Sequence, residues 1–218
     1  VVIAGQFRVN QPTEKQRTVQ WFKKRRGKIT CSRLNAVQSM SRAYARDIIR
    51  EREGTVAGTE GGWAGTATEW GINTEKQAVA AYELRNQCTV RKVGFEMSHD
   101  RDYFGGSADG LVGRWGGIEV KCPEETAYHT LNWVRGMDPY HMAQVQGLIY
   151  VYRLAWLDFV SFDPRVRASK QLYIERILPD PVYTHELLEK VDNLWAIVLS
   201  GNAGVPEASI TDAVPTFF

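Results

Sequence analysis

The strongest constraint on how this chain folds lies in residues 107–123. They read Ser-Ala-Asp-Gly-Leu-Val and then, past a Gly-rich turn, Gly-Ile-Glu-Val-Lys-Cys-Pro. Ile118, Val120 and Cys122 alternate with Glu119 and Lys121, the period of a β-strand rather than a helix. Alternate residues share one face of a strand, so Glu119 and Lys121 point the same way. Asp109 lies on the preceding strand and reaches that face across the hairpin. Two acids and a lysine therefore converge on an otherwise apolar sheet. Oxygen donors of this kind suit Mg²⁺. The lysine can orient or deprotonate a water, or neutralise a phosphate. A surface hairpin carrying a salt bridge is the plain alternative for so short a pattern.

Charge is unevenly spread. The chain has 218 residues and a formal net charge of +2, but residues 1–53 hold 13 Lys and Arg against 4 Asp and Glu. The rest holds 14 against 21. A basic segment on an acidic body suggests a local contact with a polyanion, and Lys23-Lys24-Arg25-Arg26-Gly27-Lys28 is its densest part. A solvated helix face is the ordinary reading of such a run. No apolar stretch reaches the length of a membrane span, and no signal peptide is expected. Cys31, Cys88 and Cys122 are too few for four-cysteine iron–sulfur ligation and follow no zinc spacing. Reduced thiols in a cytoplasmic setting account for them.

The expected order is helices, strands, helix, strands, helix, which defines a single α/β domain with a mixed sheet. Thr13-Glu14-Lys15-Gln16 resembles a capping box opening a helix through Arg26, with Gly27 as its stop. Ser32 is placed as the cap of a short second helix, and Ser41–Arg52 forms a third. Residues 54–66 are a Gly-rich loop containing Trp63. Residues 67–86 form a helix with an apolar stripe of Trp70, Ala78, Ala81 and Tyr82. Strands are expected near 88–96, 104–113 and 117–122, and a helix over 124–135. Asp138-Pro139 opens a helix through Tyr152. Strands near 155–162 and 171–177 and a helix over 183–199 complete the pattern, followed by a tail to residue 218. By region, 1–53 is a basic helical part, 67–178 a catalytic core, and 179–218 a C-terminal helix and tail.

Further candidates stand around the hairpin. Glu75 borders the apolar stripe of its helix instead of opposing it, which hints at a site; reaching out to water is its default. Gln144 and Gln146 sit in an otherwise apolar helix and each needs a partner, because an unsatisfied buried amide costs about 1–3 kcal/mol. A core amide bonded to backbone is the simple account of either. Arg25 and Ser32 flank the turn Gly27-Lys28-Ile29-Thr30. A guanidinium, a hydroxyl and the amides of a helix start make a phosphate pocket. His141 is given no ligand role.

Several of these runs, taken in order, resemble one family. Arg25-Arg26-Gly27-Lys28-Ile29-Thr30-Cys31-Ser32 is similar to an R-x-G-x-I-T-A-S motif, and Trp70 to Glu75 to a W-G-x-x-x-E helix. Ser107 to Leu111 with Ile118 to Pro123 resembles a metal-binding hairpin, Met142 to Gln146 an M-A-Q-V-Q helix, and Phe162 to Arg165 a Y-D-P-R turn. This set resembles the lambda-type phage alkaline exonucleases of the PD-(D/E)xK nuclease superfamily. The resemblance implies that Asp109, Glu119 and the Val120 carbonyl hold Mg²⁺, for which Mn²⁺ can substitute. It also implies that Lys121 positions the water nucleophile, Gln144 helps orient it, Glu75 assists a metal directly or through water, and Arg25 with Ser32 holds a 5′-phosphate.

At the level of the whole protein, the resemblance implies a PD-(D/E)xK nuclease-like fold with a central mixed sheet flanked by helices. It implies 5′-to-3′ digestion of one strand of linear duplex DNA to mononucleotides, leaving 3′ overhangs. It further implies a homotrimeric ring on DNA ends, a single-strand annealing protein as partner, and action in the cytoplasm of a bacterial host. Partly desolvated beside the metal, Lys121 is expected to have a lowered pKa and act as base. Ala108 stands where the family has proline. Thr68 stands near its apolar strand-parting wedge, which makes Trp63 the substitute candidate. Three rivals remain: a restriction-type endonuclease on the same core, a non-catalytic DNA-end-binding recombination protein, and a metal hydrolase that does not act on nucleic acid.

Overall fold

The computed structural model describes residues 16–55 and 66–201, with the side chains of residues 66–68 excluded. The Thr13–Lys15 part of the expected capping box, Trp63, the Thr68 side chain and the tail beyond Gly201 lie outside the described residues.

Seven α-helices and eight strands are formed among the described residues. The first helix, α1, is shorter than expected, spanning Val19–Arg25, because the Thr18 side chain caps it by accepting from Trp21 N. Gly27 follows it at φ 67°, a left-handed conformation glycine adopts without strain. After strand β1 (Ile29–Thr30) and a 3₁₀ turn (Cys31–Arg33) come α2 (Leu34–Gln38) and α3 (Arg42–Glu53). Ser41 caps α3 by accepting from Tyr44 N, and Gly54 ends it at φ 71°. Ser32 caps nothing: α2 is entered through Arg33 with no side-chain cap, and the Ser32 hydroxyl is drawn instead to Arg25 and Thr30.

Helix α4 runs Thr66–Asn86 and is followed by β2 (Val90–Arg91), β3 (Glu96–Met97), β4 (Phe104–Gly106), β5 (Gly110–Val112) and β6 (Gly116–Lys121). Here the expected continuous strands over 88–96 and 104–113 each break in two. β2 and β5 join a five-stranded mixed sheet ordered β2-β5-β6-β7-β8, whereas β3 and β4 join β1 in a separate three-stranded sheet. The chain changes sheets at Ser107–Asp109, so one expected central sheet becomes a large sheet with a small companion. The remaining elements are α5 (Thr126–Arg135), a 3₁₀ turn at Pro139–His141, α6 (Met142–Tyr152), β7 (Trp156–Phe162), β8 (Leu172–Ile177) and α7 (Pro181–Ser200). Asp138 accepts from Tyr140 N at the 3₁₀ turn, and Asp180 caps α7 by accepting from Val182 N and Tyr183 N.

Strand β6 pairs antiparallel with β5 and parallel with β7. Its two faces do different work. Ile118 and Val120 pack with Ala78, Val79 and Tyr82 of α4 and with Val160 and Phe162 of β7. The other face, with Glu119 and Lys121, turns toward α5 and α6. Beneath α6 lies the larger core, in which Leu34, Val37, Tyr44 and Ile48 of the basic segment meet Leu148, Leu157, Phe159, Val191 and Leu194. Burial of these side chains stabilises by about 1.5–3 kcal/mol each. The strand edge is tightly fitted: a Cβ on Gly116 would come within 2.1 Å of the Trp156 ring. On the α4 side, Asp158 is 1 % exposed and bound by Arg176 at 2.8 and 2.9 Å and by Tyr82 Oη at 2.7 Å. That satisfied charge fixes β7 against β8 and α4.

Candidate metal and phosphate site

The hairpin register pairs Gly110 with Ile118, so the next position sets Asp109 opposite Glu119. Opposed residues share a face, and both carboxylates enter the same space. Asp109 N donates to Ile118 O at 3.2 Å, and Asp109 Oδ2 accepts from Val120 N at 2.7 Å. These bonds fix the first acid at the point where the chain leaves the small sheet. Glu119 is 3 % exposed. Its Oε1 accepts from Lys121 Nζ at 2.8 Å and from Gln144 Nε2 at 2.5 Å, while Gln144 Oε1 accepts from the same ammonium at 3.0 Å. Glu119 Oε2 is buried without a hydrogen-bond partner.

An orphaned carboxylate oxygen beside a second carboxylate is what a hard cation would satisfy. Among the described residues no three His, Cys, Asp or Glu side chains form a metal-holding group. The two acids, completed by backbone oxygen and water, would make a donor set that suits Mg²⁺ or Mn²⁺. The residues fit such an ion.

The electrostatics carry the same mark. Burial pushes the Asp109 carboxyl well above the usual range, and the charges of Glu119 and Glu75 push it further. Lys121 moves the other way from expectation. Burial pulls its ammonium down, but Glu119, by charge and hydrogen bond, and Asp109 more than offset this, so it is raised above its ordinary value. The Glu119 carboxylate at hydrogen-bonding range and the charge of Asp109 outweigh desolvation, so before any ion binds Lys121 is held above its ordinary value. His141 is lowered to about 4 by burial and by Lys121, and stacks on Phe159 with ring centroids 5.2 Å apart. It lines the site as a neutral ring.

The two glutamines separate. Gln144 belongs to the acid cluster, whereas Gln146 bonds Leu178 O and Asp180 N and ties α6 to the start of α7. Glu75 approaches the pair from α4, but its carboxylate is engaged by Arg17 at 3.3 Å and by Lys92. Arg25 and Ser32 do meet, Arg25 Nη2 donating to Ser32 Oγ at 3.4 Å. The guanidinium lies 4.0 Å over the Trp21 ring, and Trp21 Nε1 donates to Ser107 Oγ at 2.8 Å. A basic pocket at the end of α1 is thus tied to the segment that carries Asp109.

Two features escaped the sequence reading. Arg17 and Lys92 gave no motif at all. The Asp163–Arg165 pair was visible only as a turn, with no role. Asp163 is wholly buried and accepts from Arg165 N, Arg165 Nε and Thr126 Oγ1 at 2.8–2.9 Å. Arg165 Nη2 also donates to Pro123 O and Glu124 O, and its guanidinium lies 4.4 Å over Trp70. The clamp therefore holds the chain just beyond Lys121. The likeness of Phe162 to Arg165 to a Y-D-P-R turn was its one sequence signal.

A mixed sheet that aims two acids, a lysine and a glutamine into one recess defines a nuclease-type fold and site. The YqaJ-like viral recombinase domain matches residues 20–152, and the chain belongs to that family. Among solved structures, LHK-Exo in complex with dAMP is 30% identical with a TM-score of 0.79, covering 84% of this chain and 94% of that one. The alkaline exonuclease LHK-Exo from Laribacter hongkongensis, in a second structure, is 29% identical with a TM-score of 0.76 and the same coverage. A phage-related exonuclease from Haemophilus somnus 129PT shares the fold at 15% identity and a TM-score of 0.61, covering 81% of this chain and 93% of that one. Curated proteins return no match. No helix among the described residues is long and apolar enough to cross a membrane.

Proposed function

We propose that the chain is a divalent-metal-dependent exonuclease that degrades one strand of linear duplex DNA from its 5′ end. The observation that carries this reading is the orphaned Glu119 Oε2 beside Asp109, Lys121 and Gln144, in a chain of the YqaJ-like family. Asp109, Glu119 and the Val120 carbonyl would hold Mg²⁺ or Mn²⁺. When bound, the ion supplies Lewis acidity, stabilising charge on phosphate oxygen and lowering the pKa of water.

The protein's own groups do the rest. Lys121, kept protonated, presents its ammonium to the scissile phosphate and to the attacking water. Gln144, bonded to both Glu119 and Lys121, fixes the angle between them. The fixed cation favours the more highly charged transition state over the diester. Arg25 and Ser32 receive the 5′-phosphate exposed by each cut. Phosphate contacts of this kind read no bases, in keeping with a nuclease that must traverse any sequence. The products are 5′-mononucleotides and a lengthening 3′ overhang, the substrate of a single-strand annealing protein. A homotrimeric ring around the duplex would keep the enzyme on its track.

Three substrates test this: linear duplex with a 5′-phosphate, the same with a 5′-hydroxyl, and a covalently closed circle, each with and without Mg²⁺. The phosphorylated linear duplex is degraded fastest, and the circle resists. Arg25→Ala removes the preference for the phosphorylated end. Cutting of the circle overturns the exonuclease reading. Equal slowing of both linear substrates by Arg25→Ala overturns the phosphate pocket.

A further inference from the structure

Tyr140 is 64% exposed, yet its backbone is held from both sides. Its N–H donates to Asp138 Oδ1 at 2.9 Å, and its carbonyl accepts from Asn35 Nδ2 at 2.8 Å. The second bond joins residues 105 apart in sequence. A single exposed aromatic side chain is ordinary on a protein surface. One whose backbone is tied at both ends, on the rim of an acid-lined recess, asks for a reason.

The ring ends a ladder that starts inside the site. Strand register pairs Glu119 of β6 with Phe159 of β7, and paired residues share a face. Phe159 is 1% exposed, and His141 stacks on it with centroids 5.2 Å and planes 27° apart. Tyr140 meets His141 edge to face, at 5.6 Å and 83°. Both separations lie in the range that aromatic pairs favour. The ladder thus runs from a buried ring beside the acid to a ring open to solvent. Gln144, bonded to Glu119 and Lys121, lies three residues past His141. On the other side, Asn35 of α2 lies three residues past Ser32, whose hydroxyl meets Arg25. Tyr140 is therefore bonded to the helix that follows the phosphate pocket and packed on the rings that border the acids.

A terminal nucleotide bridging these two places has its 5′-phosphate at Arg25 and Ser32 and its 3′-phosphate at the acids. Its base has to lie to one side of that line. We propose that Tyr140, backed by His141 and Phe159, is the platform on which this base stacks. The inference rests on the exonuclease reading and names the part of the substrate that the site grips besides phosphate. Every base has a π-face, so stacking holds the nucleotide without preferring a sequence. It adds grip where the phosphate contacts read no bases.

The test uses the full chain and a 5′-phosphorylated duplex closed by a hairpin at its far end. The terminal nucleotide is unpaired and carries adenine, thymine or no base (a tetrahydrofuran analogue). Affinity is read by fluorescence anisotropy in Ca²⁺, and release of the terminal nucleotide is read in Mg²⁺. The wild type binds the abasic end roughly tenfold more weakly than either natural end, and binds the two natural ends alike within about threefold. Tyr140→Ala binds the natural ends as weakly as the abasic one. Tyr140→Phe restores the discrimination, since the ring and not the hydroxyl stacks. A wild type that binds natural and abasic ends alike overturns the platform and leaves the nuclease reading standing. So does a Tyr140→Ala variant that still discriminates, or a Tyr140→Phe variant that does not. The wild-type comparison requires no variant to fold. Failure of the wild type to digest the natural ends overturns the exonuclease reading, and the platform with it.

Discussion

Replacing Asp109 with asparagine makes the metal-free protein more stable and ends its response to Mg²⁺. The hairpin register sets Asp109 opposite Glu119, which is 3% exposed. Opposed side chains on paired strands lie about 5 Å apart at Cβ. Two unit charges at that range, at an effective dielectric near 20, repel by about 3 kcal/mol. The charge of Lys121, which also acts on Asp109, offsets part of this, leaving about 1–2 kcal/mol against the metal-free fold. Asparagine is nearly the same shape and keeps a carbonyl to accept from Val120 N, so the bond that holds residue 109 survives. In chelator near neutral pH, scanning calorimetry should show Tm rising by about 2–8 °C. Saturating Mg²⁺ at about 100 times its Kd then stabilises the wild type by about 2.7 kcal/mol. The asparagine variant, with one ionised ligand gone, gains little. The reasoning fails if the variant melts lower than the wild type in chelator, or if Mg²⁺ raises both by the same amount.

The remaining expectations concern Lys121 and Asp163. Lys121→Ala lowers the rate of nucleotide release by about 10²–10³-fold. Its affinity for linear duplex, measured in Ca²⁺ by fluorescence anisotropy, changes little by comparison; equal losses in both would mean that Lys121 only binds. Burial alone would raise the Asp163 carboxyl, but hydrogen bonds from Arg165 and Thr126 hold it down to about 2. A depressed carboxyl contributes stability above its unfolded pKa, near 3.9, and loses it as pH falls through about 2. Asp163→Asn therefore costs about 2 kcal/mol at neutral pH, and the gap to wild type narrows between pH 4 and 2. Chemical denaturation across that range checks it, and a gap that widens toward acid refutes the account.

The acid-bearing hairpin was legible because its information is local. Period-two alternation assigns Glu119 and Lys121 to one face whatever surrounds them, and a tight antiparallel connection brings Asp109 to the same face. Helix termini were legible for the same reason at Ser41 and Gly54, where a short side chain or an absent Cβ meets a backbone need, whereas Asp138 caps a 3₁₀ turn and the helix expected from it begins at Met142. The sheet changes were not. β3 (Glu96–Met97) and β4 (Phe104–Gly106) are only two and three residues long, too short to carry a period, and nothing in Ser107–Asp109 announces that the chain crosses between sheets. Gln144 and Gln146 look alike in the sequence, two residues apart on one helix. Only the packing of α6 sends the first to Glu119 and Lys121 and the second to the start of α7.

What the residues alone supplied was the inventory of the candidate site: two acids, a lysine and a glutamine, with an arginine and a serine proposed for phosphate. The tertiary structure decided their electrostatic state. Lys121 is raised rather than lowered because Glu119 and Asp109 both reach it, and Glu75 is engaged because residues 17 and 92, far from it in sequence, arrive beside it. Strand periodicity is a property of neighbouring residues and can be read along the chain. A pKa or an ion pair is a sum over charges gathered from everywhere in the fold, and that sum exists only once the chain has closed around them.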